Sequence, residues 1–161
     1  MYKAIVITVS DRCYKKERED LAGPTVKQIL IENGYDVNSV VIIPDEKEYV
    51  IDVLKKSVED NINFIVTTGG TGFSKRDITP ECTKEIIDRD VPGVAEYMRL
   101  KSFEITPRAM LSRGLCGIKN NSLILNLPGS PKAAKENLEA VVDTLKHGLD
   151  ILTSKSSDCA R

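Results

Sequence analysis

The chain has 161 residues, enough for one compact domain that buries a core without disulfide or metal staples. Its 23 Lys and Arg against 24 Asp and Glu leave a formal charge of −1, which excludes general nucleic-acid binding, a function that needs a strong basic excess. Four scattered cysteines with no C-x-x-C pair, a lone histidine and no apolar run of membrane-spanning length argue against a zinc site, a disulfide framework and a membrane span, and predict a cytoplasmic protein.

Tyr2 to Ser10 is a β-branched run, apolar at successive positions from Ala4 to Val9, as in a parallel strand buried on both faces. It reads as a strand and not as a signal peptide. Its end, Ser10-Asp11-Arg12, places polar residues where ligands of open α/β sheets gather. Tyr14 to Asp20 is a charged loop, the usual composition of solvated surface. Leu21-Ala22-Gly23-Pro24 opens a helix with Pro24 in its first turn, and Gly34 closes it. A second strand spans Tyr35 to Ile43 and stops at Pro44-Asp45-Glu46, where Asp45 also suits a helix N-terminus. The helix from Lys47 to Asp60 carries Val50, Val53, Leu54 and Val58 on one face.

The third strand, Ile62 to Thr68, runs into Gly69-Gly70-Thr71-Gly72, then Arg76-Asp77, then a Thr79-Pro80-Glu81 helix start. Clustered glycines after a buried strand let the backbone take φ > 0, approach a ligand closely and leave N–H groups aimed at oxygen. The spacing matches neither a Walker A loop nor a dinucleotide fingerprint, so alone it means either a phosphate turn or a sharp strand-to-helix connection. A helix follows Pro80 to Asp88, Val94 to Phe103 resumes helical spacing, and Thr106-Pro107 caps another turn. Leu115 to Lys119 and Ser122 to Leu127 form a hairpin about Asn120-Asn121. Ser130-Pro131 then caps a last helix with Ala134, Leu138, Val141, Leu145 and Leu149 on one face.

The order predicts an α/β fold: a three-layer αβα arrangement with a mostly parallel sheet plus a small β-hairpin. Residues 1–152 form a single domain, and 153–161 a loose tail. Parallel strand ends share one edge, so Ser10, Asp11, Asp45, the glycines and Asp77 can converge there. The turn Leu127-Pro128-Gly129-Ser130-Pro131-Lys132 ends a fourth apolar run at the same edge.

Thr67-Thr68-Gly69-Gly70-Thr71-Gly72-Phe73 with Arg76-Asp77-Ile78-Thr79-Pro80-Glu81 resembles the molybdopterin adenylyltransferases, the MogA proteins and the gephyrin G domains. The resemblance extends to Thr8-Val9-Ser10-Asp11, Pro44-Asp45-Glu46, Met110-Leu111-Ser112-Arg113 and Leu125-Asn126-Leu127-Pro128-Gly129-Ser130, nearly the whole chain. MoaB-type and CinA-type domains share versions of the glycine block alone. The resemblance implies a molybdopterin-binding domain, usually a homotrimer, that transfers AMP from Mg-ATP to the phosphate of molybdopterin and releases pyrophosphate. It implies Asp45 and Asp77 as the catalytic pair, holding Mg²⁺ or orienting the molybdopterin phosphate through it. Gly69, Gly70, Thr71 and Gly72 would cradle a phosphate, with Ser10, Asp11 and Thr79 beside them. Ser102, Ser112 and Arg113 fall toward the pterin, and Asn126, Pro128, Gly129, Ser130 and Lys132 toward the nucleotide or phosphate.

The chemistry suits a site without histidine. Attack by a phosphate monoester on the α-phosphorus brings two polyanions together, and each pair of unit charges about 5 Å apart repels by roughly 3 kcal/mol at a dielectric of about 20. The nucleophile is already anionic, so the site must neutralise charge and hold the groups in line. Mg²⁺ prefers one or two carboxylates plus phosphate oxygens and waters. Cys13, Cys82 and Cys116 read as small space-fillers and His147 as a helix-end residue. The competing reading is a non-catalytic molybdopterin carrier or scaffold, which has no need of both Asp45 and Asp77. A MoaB-type relative with altered chemistry is a third. Metal insertion would fall to a separate protein.

Overall fold

A computed structural model describes residues 1–154. Its strands are β1 (Tyr2–Val9), β2 (Tyr35–Ile43), β3 (Phe64–Thr68), β4 (Arg89–Asp90), β5 (Cys116–Lys119) and β6 (Ser122–Leu127). They form one sheet in the order β2-β1-β3-β6-β5-β4. The first four in that order run parallel, with Thr8 beside Thr68 and Thr68 beside Leu127. β5 returns antiparallel through the Asn120-Asn121 turn, in which Asn120 takes φ 52°. The expected αβα layering with a mostly parallel sheet and a hairpin is the observed one.

The helices are α1 (Asp11–Tyr14), α2 (Ala22–Glu32), α3 (Lys47–Glu59), α4 (Thr79–Ile86), α5 (Pro92–Phe103) and α6 (Pro131–Leu152), with a 3₁₀ turn at Pro107–Leu111. Side chains alternate between sheet faces, so each apolar run feeds two cores. Val6, Phe64, Val66, Leu123 and Leu125 pack under α2, α5 and α6. Ile7, Val9, Ile65 and Ile124 pack under α3 and α4. Burial on both faces explains why β1, β3 and β6 read as unbroken apolar runs instead of alternating ones.

Two elements depart from the sequence reading. Ser10, expected only as the end of a strand, caps the short α1 by accepting from the Cys13 amide at 3.2 Å. β4 is only two residues long and pairs Arg89 and Asp90 antiparallel with β5, too short for any periodicity to announce it. At the other end of the chain Thr153 is the C-cap of α6, where its amide and hydroxyl both donate to the Leu149 carbonyl. The rest of the expected tail, 155–161, lies outside the described residues. Among the described residues no helix is long and apolar enough to cross a membrane.

Candidate active site

Strand order 2-1-3 places the topological switch point between β1 and β3, where loops diverge and leave a crevice at the carboxyl ends of the strands. A cavity of about 190 Å³ lies there, lined among others by Ser10, Asp45, Thr68, Gly70, Asp77 and Gly129. Four chain segments far apart in sequence thus meet at one sheet edge.

Asp11 and Asp45 lock the first two strand ends together. The Asp11 amide donates to Asp45 Oδ2 at 2.7 Å, and the Asp45 amide donates back to Asp11 Oδ1 at 3.0 Å. Arg76 reaches over from the glycine loop and grips Asp11 with both Nε (2.8 Å) and Nη2 (2.9 Å). The guanidinium holds the Asp11 carboxyl below its ordinary range. Asp45 is the opposite case: burial raises its carboxyl, and the neighbouring charges of Asp11 and Asp77 raise it further. Arg76 and Asp77, adjacent in sequence, therefore do not form the surface ion pair their order suggests; Arg76 binds Asp11 and leaves Asp77 at the cavity.

Both acids keep an oxygen in reserve. Asp45 Oδ2 is committed to the Asp11 amide, and Asp77 Oδ2 accepts from the Ser74 amide at 2.8 Å. No hydrogen bond among the described residues uses Asp45 Oδ1 or Asp77 Oδ1. Two half-coordinated carboxylates on one small cavity suit a hard cation that retains waters. No group of three or more metal-binding side chains surrounds them among the described residues, so the donor set fits Mg²⁺ carried by a phosphate better than a caged resident ion.

The glycine turn is required by its backbone. Gly69 takes φ 94°, and a Cβ there would lie 2.3 Å from the Val9 carbonyl oxygen. Gly70 takes φ 66°, with Thr79 Oγ1 2.2 Å from its virtual Cβ. The Gly69 amide is spent on the Leu127 carbonyl at 3.1 Å, so it cannot serve the cradle expected of residues 69–72. The amides of Gly70, Thr71 and Gly72 have no acceptor among the described residues and are free for that role. Thr68 and Thr79 add buried hydroxyls without partners.

Other expected site residues divide. Ser102, Ser112 and Pro128 line a second cavity of about 190 Å³ between α5, the 3₁₀ turn and α6, together with Arg99, Arg108 and Asn137. Pro128 and the next residue, Gly129, thus face different cavities. Asn126 is buried and fully engaged: its amide donates to Thr67 and Thr83 hydroxyls at 3.0 and 2.9 Å, and its Oδ1 accepts from the Leu115 amide. It ties β6 to β3 and α4 and does not reach a ligand surface. Lys132 is exposed on the first turn of α6 near Glu136, and Ser130 caps that helix. Arg113 turns away from the second cavity and binds the glycine loop through Gly72 and Asp77 carbonyls.

Asp20 is the clearest residue the sequence reading passed over. It folds in from the charged loop, accepting from the Thr8 hydroxyl at 2.7 Å and the Gly23 amide at 2.9 Å, and lines the carboxylate cavity. The signal was present as an acidic residue three positions before a helical Gly-Pro, the spacing of an N-cap. Arg99, Arg108 and Asn137 of the second cavity carried no motif at all. Cys82 and Cys116 are space-fillers as expected: burial pushes Cys82 up to about 11 and Cys116 up to about 12, leaving neither a nucleophile, whereas the buried Cys13 lines the carboxylate cavity.

The chain is similar to known proteins over nearly its whole length. The chain is 41% identical over 152 residues to the molybdopterin adenylyltransferase of Helicobacter pylori (strain J99), covering 91% of this chain and 85% of that protein. It is 40% identical over 149 residues to the molybdenum cofactor synthesis protein cinnamon of Drosophila melanogaster, of which it spans 25% of the length. The crystal structure of the molybdopterin biosynthesis enzyme MoaB from Thermus thermophilus superposes with a TM-score of 0.91 at 42% identity, covering 98% of this chain and all of that one. The sequence profile described as a probable molybdopterin binding domain matches residues 5–147, and with that span the chain belongs to the molybdopterin-binding domain family.

Proposed function

We propose that the protein transfers AMP from ATP to the phosphate of molybdopterin, with Asp45 and Asp77 as the catalytic carboxylates. The observation that carries the reading is the placement of both acids on one cavity with Gly70, at the start of a turn whose Gly70, Thr71 and Gly72 amides have no acceptor among the described residues. An acidic cavity repels a bare polyphosphate, so the nucleotide enters it only with its cation. Asp45 and Asp77 would hold Mg²⁺, which would neutralise charge that develops on the phosphate oxygens.

The chain's own groups do the rest. Asp45 and Asp77 would hold the cation through their Oδ1 atoms, while their second oxygens accept from backbone amides that fix the carboxylate planes. Gly70 to Gly72 amides donate to the phosphate chain. The second cavity, with Arg99 and Arg108, receives molybdopterin, and the Pro128-Gly129 wall brings its phosphate against the α-phosphorus. A molybdopterin phosphate oxygen forms the new P–O bond as the bond to the β-phosphate breaks, and pyrophosphate leaves with the electron pair. No proton needs to be removed from a nucleophile that is already anionic, which is why a histidine-free site suffices.

The reading extends to a cytoplasmic homotrimer that hands its product to a separate metal-insertion protein; its support is the relationship to adenylyltransferases of similar length. Purified protein incubated with molybdopterin, ATP and Mg²⁺ is expected to yield adenylylated molybdopterin by mass spectrometry, with one pyrophosphate per product. Tight pterin binding with no adenylylated product would establish the carrier reading instead.

A further inference from the structure

We infer that Arg113 is a positioning residue that sets Asp77 and the glycine turn from the segment that also walls the second cavity; this rests on the reading of the carboxylate cavity given above. Four interactions converge. The Arg113 amide donates to the Thr71 carbonyl at 3.0 Å, Nε to the Gly72 carbonyl at 2.8 Å, and Nη2 to the Asp77 carbonyl at 2.7 Å, while Nη1 pairs with Glu81.

A planar guanidinium is suited to this task because its donors radiate in fixed directions and meet three acceptors at once. Those acceptors, on Gly72, Asp77 and Glu81, span the whole loop from the glycine turn into α4. A charged side chain spent on two backbone carbonyls is bound to shape, since a carbonyl offers it no full counter-charge. The orientation of the Asp77 side chain follows from that shape: Asp77 Oδ2 accepts from the Ser74 amide inside the same loop and lies 2.9 Å from where a Gly72 Cβ would stand.

Arg113 is itself held from the second cavity. Its neighbour Ser112 lines that cavity, and Arg99, also a lining residue, donates to the Ser112 and Gly114 carbonyls at 3.4 and 2.8 Å. The 112–114 strap is therefore pinned on the pterin side and grips the metal side, so a shift of either wall is felt at the other.

The test is Mn²⁺ binding with a non-hydrolysable ATP analogue, read by the electron paramagnetic resonance of free Mn²⁺. Arg113→Ala is expected to weaken that binding about ten-fold, the loss typical of residues that orient a metal-binding side chain. Arg113→Lys, which keeps the charge near Glu81 but loses the fork, should weaken it similarly and carries the reading if the alanine variant does not fold. Glu81→Gln, which spares the carbonyl bonds, should stay within about two-fold. In the Asp77→Asn background Arg113→Ala should cost less than it does in the wild-type protein, because part of its effect is exerted through Asp77. Additive losses, or wild-type affinity in both Arg113 variants, would overturn the inference alone. Failure of the wild-type protein to bind Mn²⁺ and nucleotide would overturn the reading of the site and this inference with it.

Discussion

The two cavities are nearly equal in volume and opposite in charge. One is ringed by Asp45, Asp77 and Asp20 with Arg18 at the ends of parallel strands, and the other by Arg99 and Arg108 with Glu136 between helices. They share a wall one residue thick at Pro128-Gly129. On the proposed reading the contrast is how one small fold would bring two anionic substrates together. The acidic side would admit a polyphosphate only with its cation and the basic side would bind a phosphate directly, so neither cavity would compete well for the other's ligand. Strand ends would then hold the chemistry, and helical segments the acceptor.

The contrast is lost most completely if the acidic side is disarmed. Asp77→Asn keeps the hydrogen bond from the Ser74 amide but removes the charge facing the cation. Adenylyl transfer is expected to fall by about 10³-fold or more in kcat, about 4 kcal/mol in the barrier, while the dissociation constant of molybdopterin stays within about two-fold. Steady-state pyrophosphate release and pterin fluorescence titration on the same preparation check both halves. Unchanged release would remove Asp77 from the mechanism.

A substitution at the hinge of the acidic side should instead cost stability. Gly69→Ala forces a side chain to φ 94° and drives its Cβ toward the Val9 carbonyl oxygen of the neighbouring strand. The expected destabilisation is about 3 kcal/mol by urea unfolding, combining positive-φ strain with the clash. Gly129→Ala, whose Cβ would meet Gly69 Cα at 3.3 Å in ordinary loop surroundings, should cost less.

How far each side was legible in the sequence follows the same division. The ends of β1 and β3 were legible because those strands are largely buried and keep their polar residues near the termini, so Asp11 and the glycines stood out, whereas Asp45 was marked by the Ile42-Ile43-Pro44 stop at the end of the edge strand β2. Helical walls were not, because Arg99 and Asn137 sit in ordinary amphipathic spacing and acquire meaning only when α5 packs on α6. Asn126 shows the limit of resemblance: a polar residue in a functional block, it spends both side-chain N–H donors and its oxygen on Thr67, Thr83 and Leu115 in the interior. Asp20 shows the converse, a residue masked by the charged loop around it that folds back to accept from the Gly23 amide in the first turn of α2.

The basic side yields a smaller effect. Arg108 lines the second cavity from the exposed 3₁₀ turn. Arg108→Ala is expected to raise KM for molybdopterin about ten-fold, ~1.4 kcal/mol, the scale of one charge-assisted hydrogen bond, and to leave KM for ATP unchanged. A rise in KM for ATP instead would show that the nucleotide occupies that cavity and would invert the assignment of the two sides.

The smallest effect tests what the acidic side costs the fold. Burial and the charges of Asp11 and Asp77 raise the Asp45 carboxyl in the folded chain, whereas in the unfolded chain it returns to its ordinary value. Between those two values the folded state binds the extra proton, so ionising Asp45 opposes folding. The penalty is absent below the ordinary carboxylate range, grows as pH rises through the raised folded value, and is constant above it. Asp11 runs the other way, since Arg76 lowers its carboxyl and makes its ionisation favour folding. Asp45→Asn keeps an oxygen for the Asp11 amide while removing the opposed charge, so it should stabilise the protein by about 1 kcal/mol at neutral pH, a gain of about 2–4 °C in Tm. That gain should vanish as the pH is lowered past the carboxylate range, in thermal melts of the two proteins across the series. A gain independent of pH would trace to packing instead, and a loss at neutral pH would mean that the Asp45 charge is stabilised by the fold; either result would remove the electrostatic contrast between the two cavities at its centre.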